Sequence, residues 1–148
     1  MTTQPFTILH VEDDPNDVLL VERAIKKSNA PAVLKAVNDG DKAVSYLKGE
    51  NGFANREQNP LPDLVLLDLK MPRKSGLEVL TWIREQSQWK RLPVVIFTSS
   101  KHEQDINRAY DLGANSYLVK PVGFDSLLET LKQVYQYWAS LNQRPARQ

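Results

Sequence analysis

The chain has no cysteine, so it can build neither a disulfide framework nor a thiolate metal site. It has two histidines, His10 and His102, too few for a histidine-based metal centre. It lacks an excess of either charge sign. A formal net charge of +1 gives no case for nucleic-acid binding, for which only Arg144 and Arg147 speak. No apolar stretch approaches the ~20 residues of a membrane span. The first residues, Met1 to Thr7, are polar and contain no signal-peptide core. Repeats and low-complexity tracts are missing too. So is any glycine-rich phosphate loop, which argues against phosphate arriving on a tightly bound nucleotide. What is present is ordinary: 148 residues, 41% hydrophobic and 25% charged. That composition fits one soluble, cytoplasmic globular domain over residues 1–148, with a core of about 6–141 and a loose tail at 142–148.

The stretch that organises the chain is Asp63-Leu-Val-Leu-Leu-Asp68-Leu-Lys-Met-Pro72. A short, nearly continuous apolar run reads as a strand buried on both faces. Asp68 then falls at its C-terminal tip. Four further runs have the same character: Phe6–Val11, Ala32–Val37, Pro93–Phe97 and Asn115–Val119. Between them lie helical patterns. Pro15 suits the first turn of a helix with Asp14 as N-cap and Asp17 as its capping partner. Asn38 can cap the second helix. Ser75 with Glu78, and Ser100 with Glu103, form capping boxes for the third and fourth. Gly113 marks a helix end. The last helix runs from about Gly123 to Leu141. His10 reads as a strand histidine packed under a helix.

Five strands alternating with five helices indicate a parallel sheet covered on both faces. The flavodoxin-like, doubly wound order 2-1-3-4-5 fits five strands. All strand C-termini then share one edge, which collects Glu12, Asp13, Asp68, Thr98 and Lys120. Crowded carboxylates repel unless a cation is present. An oxygen-only donor set favours a hard ion such as Mg²⁺. A carboxylate nucleophile, Mg²⁺, a hydroxyl and a lysine together suit phosphoryl transfer onto Asp68.

Val11-Glu-Asp-Asp14, Leu67-Asp-Leu-Lys-Met-Pro72 with Gly76, Phe97-Thr-Ser99 and Tyr117-Leu-Val-Lys-Pro121 resemble the receiver domain of two-component response regulators. The resemblance covers roughly the whole chain. It implies Asp68 as phosphoacceptor. Mg²⁺ would be held by Glu12, Asp13, Asp68 and the backbone carbonyl of Lys70. Thr98 and Lys120 would contact the phosphoryl group, with Lys70 and Ser99 flanking it. Tyr117 would be the aromatic switch, and a cis peptide would precede Pro121. The chain would undergo self-phosphorylation and dephosphorylation without being an enzyme in the ordinary sense.

No effector domain is expected after the fifth helix, so output would come from the receiver's own surface. The face of helix four, strand five and helix five carries Tyr110, Tyr117 and Tyr137, a candidate homodimer surface, while Tyr135 and Trp138 fit the inward stripe. The long segment 49–62 departs from a minimal receiver and reads as an exposed functional loop or a partly disordered one. With Glu12-Asp-Asp-Pro-Asn-Asp17, it is similar to the small regulators paired with phytochrome histidine kinases. The kinase would dock near Val18, Leu19 and Glu22. An aspartyl-phosphate phosphatase would usually want an acid/base Asp where Lys70 stands. A phosphorylation-independent binding module of receiver fold would be expected to lack one of Asp13, Asp68, Thr98 or Lys120.

Overall fold

The computed structural model describes residues 5–146. Five parallel strands, β1 (Phe6–Val11), β2 (Ala32–Val37), β3 (Leu64–Leu67), β4 (Val94–Thr98) and β5 (Ser116–Val119), lie in the order 2-1-3-4-5. Helices α1 (Pro15–Lys27), α2 (Gly40–Lys48), α3 (Gly76–Glu85), α4 (Glu103–Asp111) and α5 (Phe124–Tyr135) connect and cover them. The side-chain alternation of a strand divides the core into two. Leu9, Val11, Val65, Leu67, Val94 and Ile96 pack with Leu47, Val79, Leu80 and Ile83 on one face. Phe6, Ile8, Leu64, Leu66, Val95 and Phe97 pack with Val21, Ile25, Leu127 and Leu131 on the other. Burial on both faces is why the strands read as unbroken apolar runs.

Helix starts differ in detail from the sequence expectation. Asp14 caps α1 by accepting from the Asn16 amide, and Asp17 makes no return bond to the cap; its carboxylate is drawn to Lys120 instead. The cap of α2 is Asp39, not Asn38; its extended backbone lets Oδ1 accept from the Lys42 amide. Ser75 caps α3 through the Glu78 amide. The residue ahead of α4 is His102, which makes no side-chain cap. Ser100 is spent elsewhere: its hydroxyl donates to Asp105 and accepts from the His102 amide. Gly113 follows α4 with φ +105°, the left-handed conformation that glycine tolerates best. The final helix widens after Tyr135 into a π-helical turn, Gln136–Leu141. The Lys120–Pro121 peptide is trans, as no described bond is cis, so the structure departs here from the expectation for the family.

The loop 49–62 is strapped to α2. The Arg56 guanidinium donates to the Tyr46 and Leu47 carbonyls at 2.8 and 3.0 Å, satisfying the helix's last turn. The Tyr46 hydroxyl donates to the Pro60 carbonyl at 2.7 Å, and the Phe53 ring packs 5.1 Å from the Tyr46 ring.

A second arginine ties the opposite edge of the sheet. Arg84 donates to the carbonyls of Gly113, Leu92 and Lys90 and to Oδ1 of Asn115. That one guanidinium links α3 to the turns entering β4 and β5. Replacing Arg84 with Met takes this donor from the three carbonyls, while Asn115 Oδ1 keeps the Val94 amide. The expected loss is about 1–3 kcal/mol of unfolding free energy, read as a lower urea midpoint at unchanged slope.

Candidate functional site

Three charged residues of the sheet edge, Glu12, Asp68 and Lys120, are held by their own backbones. The Glu12 amide donates to the Val37 carbonyl, the Asp68 amide to Val11, and the Lys120 amide to Thr98, all at 2.8 to 3.1 Å. The sheet's hydrogen bonding therefore continues one residue past the strands and fixes where these side chains leave the backbone. Asp68 is also pressed from behind by Gly76. A Cβ on Gly76 would stand 2.1 Å from the Asp68 carbonyl oxygen, so only glycine fits this approach.

Glu12, Asp13 and Asp68 each bring a carboxylate oxygen to within 4.8 Å of the others. Glu12 and Asp68 are buried, at 1% and 7% exposure, whereas Asp13 is exposed. An all-oxygen set with two buried carboxylates fits a hard divalent cation that retains waters on its open side. Lys120 reaches into the cluster and donates to Glu12 at 2.5 Å, Asp17 at 2.8 Å and Asp68 at 3.0 Å. Thr98 is buried at the tip of β4. A cavity of about 440 Å³ opens beside Asp68 and Thr98, with Lys70 on one rim and Ser99, Ser100, Lys101 and His102 on the other. The Lys70 amide donates to Asp68 Oδ1 at 3.3 Å.

The electrostatics follow from this packing. Burial pushes Glu12 up to about 7, against the opposing hydrogen bond from Lys120. Burial would raise Asp68 as well, but hydrogen bonding and charge from Lys120 outweigh it and hold Asp68 below the usual carboxylate range. Burial acts to lower Lys120. Its hydrogen bonds to Asp17, Glu12 and Asp68 reverse that and raise it.

The structure thus brings Glu12, Asp13, Asp68, Thr98 and Lys120 to one edge. Tyr117 sits half-buried on β5, and its hydroxyl donates to the Ser100 carbonyl at 3.0 Å. Tyr110 and Tyr137 do not line the cavity and are each 49% exposed. Tyr135 turns inward, edge-on to Phe6 at 5.8 Å, and Trp138 packs beside the same core. Sequence reasoning gave Asp17 a capping role and missed its place on Lys120. The signal was its spacing, one helical turn beyond the acidic run that ends β1. It also missed Lys101 and His102 at the cavity rim.

A buried acidic cluster with one lysine and one hydroxyl, at the C-terminal edge of a doubly wound sheet, defines a phosphoryl-accepting class of α/β protein. The chain belongs to the response regulator receiver domain family, whose model matches residues 8–132. The response regulator Rcp1 of Synechocystis sp. is 35% identical over 142 residues, covering 96% of this chain and 95% of that protein. Among solved structures, the phosphorylated cyanobacterial phytochrome response regulator RcpA superposes with a TM-score of 0.88 at 36% identity, covering 97% of this chain and all of the other. The Mn²⁺-bound form of Rcp1 superposes with a TM-score of 0.84 at 35% identity, covering 96% of this chain and all of the other. Phosphorylation on aspartate and a divalent metal at an acidic pocket are standard for this family. Among the described residues, no helix is long and apolar enough to cross a membrane.

His10 lies two residues before Glu12 and is 1% exposed, with Nδ1 lacking a hydrogen-bond partner. Burial, aided by the charge of Lys120, pushes its pKa down from 6.5 to about 4. The folded protein therefore binds fewer protons here than the unfolded chain, and stability drains as pH falls from about 6.5 to 4. His10→Leu removes that term. The melting-temperature difference between variant and wild type is expected to shift in favour of the variant as the buffer is taken from pH 7 to pH 5. A difference constant over that range would refute it.

Proposed function

We propose that residues 1–148 act as a single receiver unit that takes a phosphoryl group from a phosphohistidine kinase onto Asp68. The observation that carries this reading is the Lys120 ammonium, 3.0 Å from an Asp68 carboxylate that opens onto a cavity large enough for a phosphoryl group. An Asp68 oxygen attacks phosphorus. The P–N bond of the donor breaks, its electron pair returns to the imidazole, and the imidazole takes up a proton. Glu12, Asp13, Asp68 and the Lys70 carbonyl are the groups assigned to Mg²⁺, which would offset carboxylate repulsion and polarise the phosphoryl oxygens. Lys120 and Thr98 neutralise and hydrogen-bond the transferred group. The protein's own part in the chemistry is limited to this transfer and the later hydrolysis, with no turnover of a separate substrate.

The added charge of about −1.5 to −2 is what the rest of the molecule must read. Thr98 moves toward the phosphoryl group and Tyr117 takes up the space behind it. Its hydroxyl contact to Ser100 ties that ring to the loop bordering the cavity. The output surface is the face of α4, β5 and α5, where exposed Tyr110 and Tyr137 offer aromatic area for a second copy of the chain. Similarity to RcpA and Rcp1 along nearly their whole lengths supports a phytochrome-type, light-regulated histidine kinase as donor. Leu19 and Leu20 of α1, 44% and 38% exposed, lie where that kinase would dock.

The test is incubation with acetyl phosphate and Mg²⁺, read by intact mass and by sedimentation. Wild type is expected to gain one phosphate and Asp68→Asn none. A mass doubling in sedimentation that accompanies the gain supports the homodimer. Folded, Mg²⁺-binding wild type that takes up no phosphate would instead favour a phosphorylation-independent binding module.

A further inference from the structure

An ammonium group has three N–H donors. On Lys120 each of the three meets a different carboxylate: Glu12, Asp17 and Asp68. Two of these, Glu12 and Asp68, belong to the acidic trio able to hold a cation; Asp17 does not. The lysine and a divalent ion therefore compete for the same two buried carboxylates. Once such an ion is bound, Asp17 is the one partner that Lys120 need not share.

Asp17 is well placed for that task. It stands in the first turn of α1, where the helix dipole favours a carboxylate. Asp14 alone caps the helix, so the Asp17 side chain is free of capping duty. It is 34% exposed, whereas Glu12 is 1% exposed, so its pairing with Lys120 is not forced by burial. The contact spans 103 residues of sequence and connects α1 to the end of β5.

We infer that Asp17 is a positioning residue of the phosphorylation site: it keeps the Lys120 ammonium beside Asp68 when a divalent cation takes Glu12. The inference rests on the reading of Asp68 as phosphoacceptor and adds a fourth carboxylate to the working set. Lys120 touches the reacting group, and Asp17 acts only through Lys120. Its removal lowers the rate of transfer at saturating cation more than it weakens cation binding.

The experiment compares wild type, Asp17→Asn and Asp17→Glu, all checked for an unchanged far-ultraviolet spectrum. Two quantities are read. The first is the NMR signal of the Lys120 ammonium, with and without Mg²⁺. The second is the rate of phosphate gain from acetyl phosphate as a function of Mg²⁺ concentration. In wild type the ammonium signal persists with Mg²⁺. In Asp17→Asn it is lost to solvent exchange on adding Mg²⁺. The saturating rate of Asp17→Asn falls roughly tenfold, the scale of one hydrogen bond to a charged group, while the Mg²⁺ midpoint moves less than about threefold. Asp17→Glu recovers part of the rate. An Asp17→Asn protein that keeps both the signal and the rate overturns the inference. So does a defect confined to the Mg²⁺ midpoint, which would make Asp17 a general negative charge. If wild type gains no phosphate, the assignment of Asp68 fails, and the Lys120 signal alone decides the role of Asp17.

Discussion

Two carboxylates, Glu12 and Asp68, are almost wholly removed from water at neighbouring strand ends. Uncompensated, such a pair is among the most expensive arrangements a protein can hold. Lys120 is the compensation the chain carries with it, and most of the molecule serves to deliver it. Strand order places β1 beside β3, with β5 two strands further on. The ammonium bridges that gap at the end of a four-methylene stem and meets Asp68 at 3.0 Å. The pKa shifts divide accordingly: Glu12 is raised by its burial, while Asp68 is lowered by the lysine it shares.

The sequence carried the architecture because each strand is a compact apolar run and each helix has a periodic face. Parallel sheets bury both sides, so the runs are unbroken, and the topology rules then leave one edge for the chemistry. The convergence of Glu12, Asp13, Asp68, Thr98 and Lys120 could be read for the same reason. Less was visible where one residue type serves several purposes. Asp17 fits a capping pattern by spacing, yet the Asp14 amide it would accept from already donates to Glu12, and its carboxylate pairs with Lys120 instead. Ser100 fits a capping box, yet its hydroxyl binds Asp105. Asn38 and Asp39 are both good caps, and only backbone geometry selects the second.

The segment 49–62 shows a different limit. Its polarity and turn residues left open whether it is an exposed functional loop or partly disordered. What orders it is Arg56 bonded to the last carbonyls of α2, with Tyr46 bonded back to Pro60. These are contacts between a side chain and a backbone several residues away. No local propensity reports them. The same holds for Arg84, whose partners span residues 90 to 115.

The two ends of the Lys120–Asp68 contact stand on very different ground. Asp68 follows the central strand, flanked on both sides and fully buried. Lys120 follows β5, a four-residue edge strand that is only half-buried along its length. Its ladder to β4 and the ion pairs of Lys120 at its tip together hold it in place. The same strand carries Tyr117 and lies against α4 with its exposed Tyr110, so a change of charge at the sheet's rim would bear on the anchorage of that border. The lysine side chain thus joins the rigid centre of the sheet to its half-buried border.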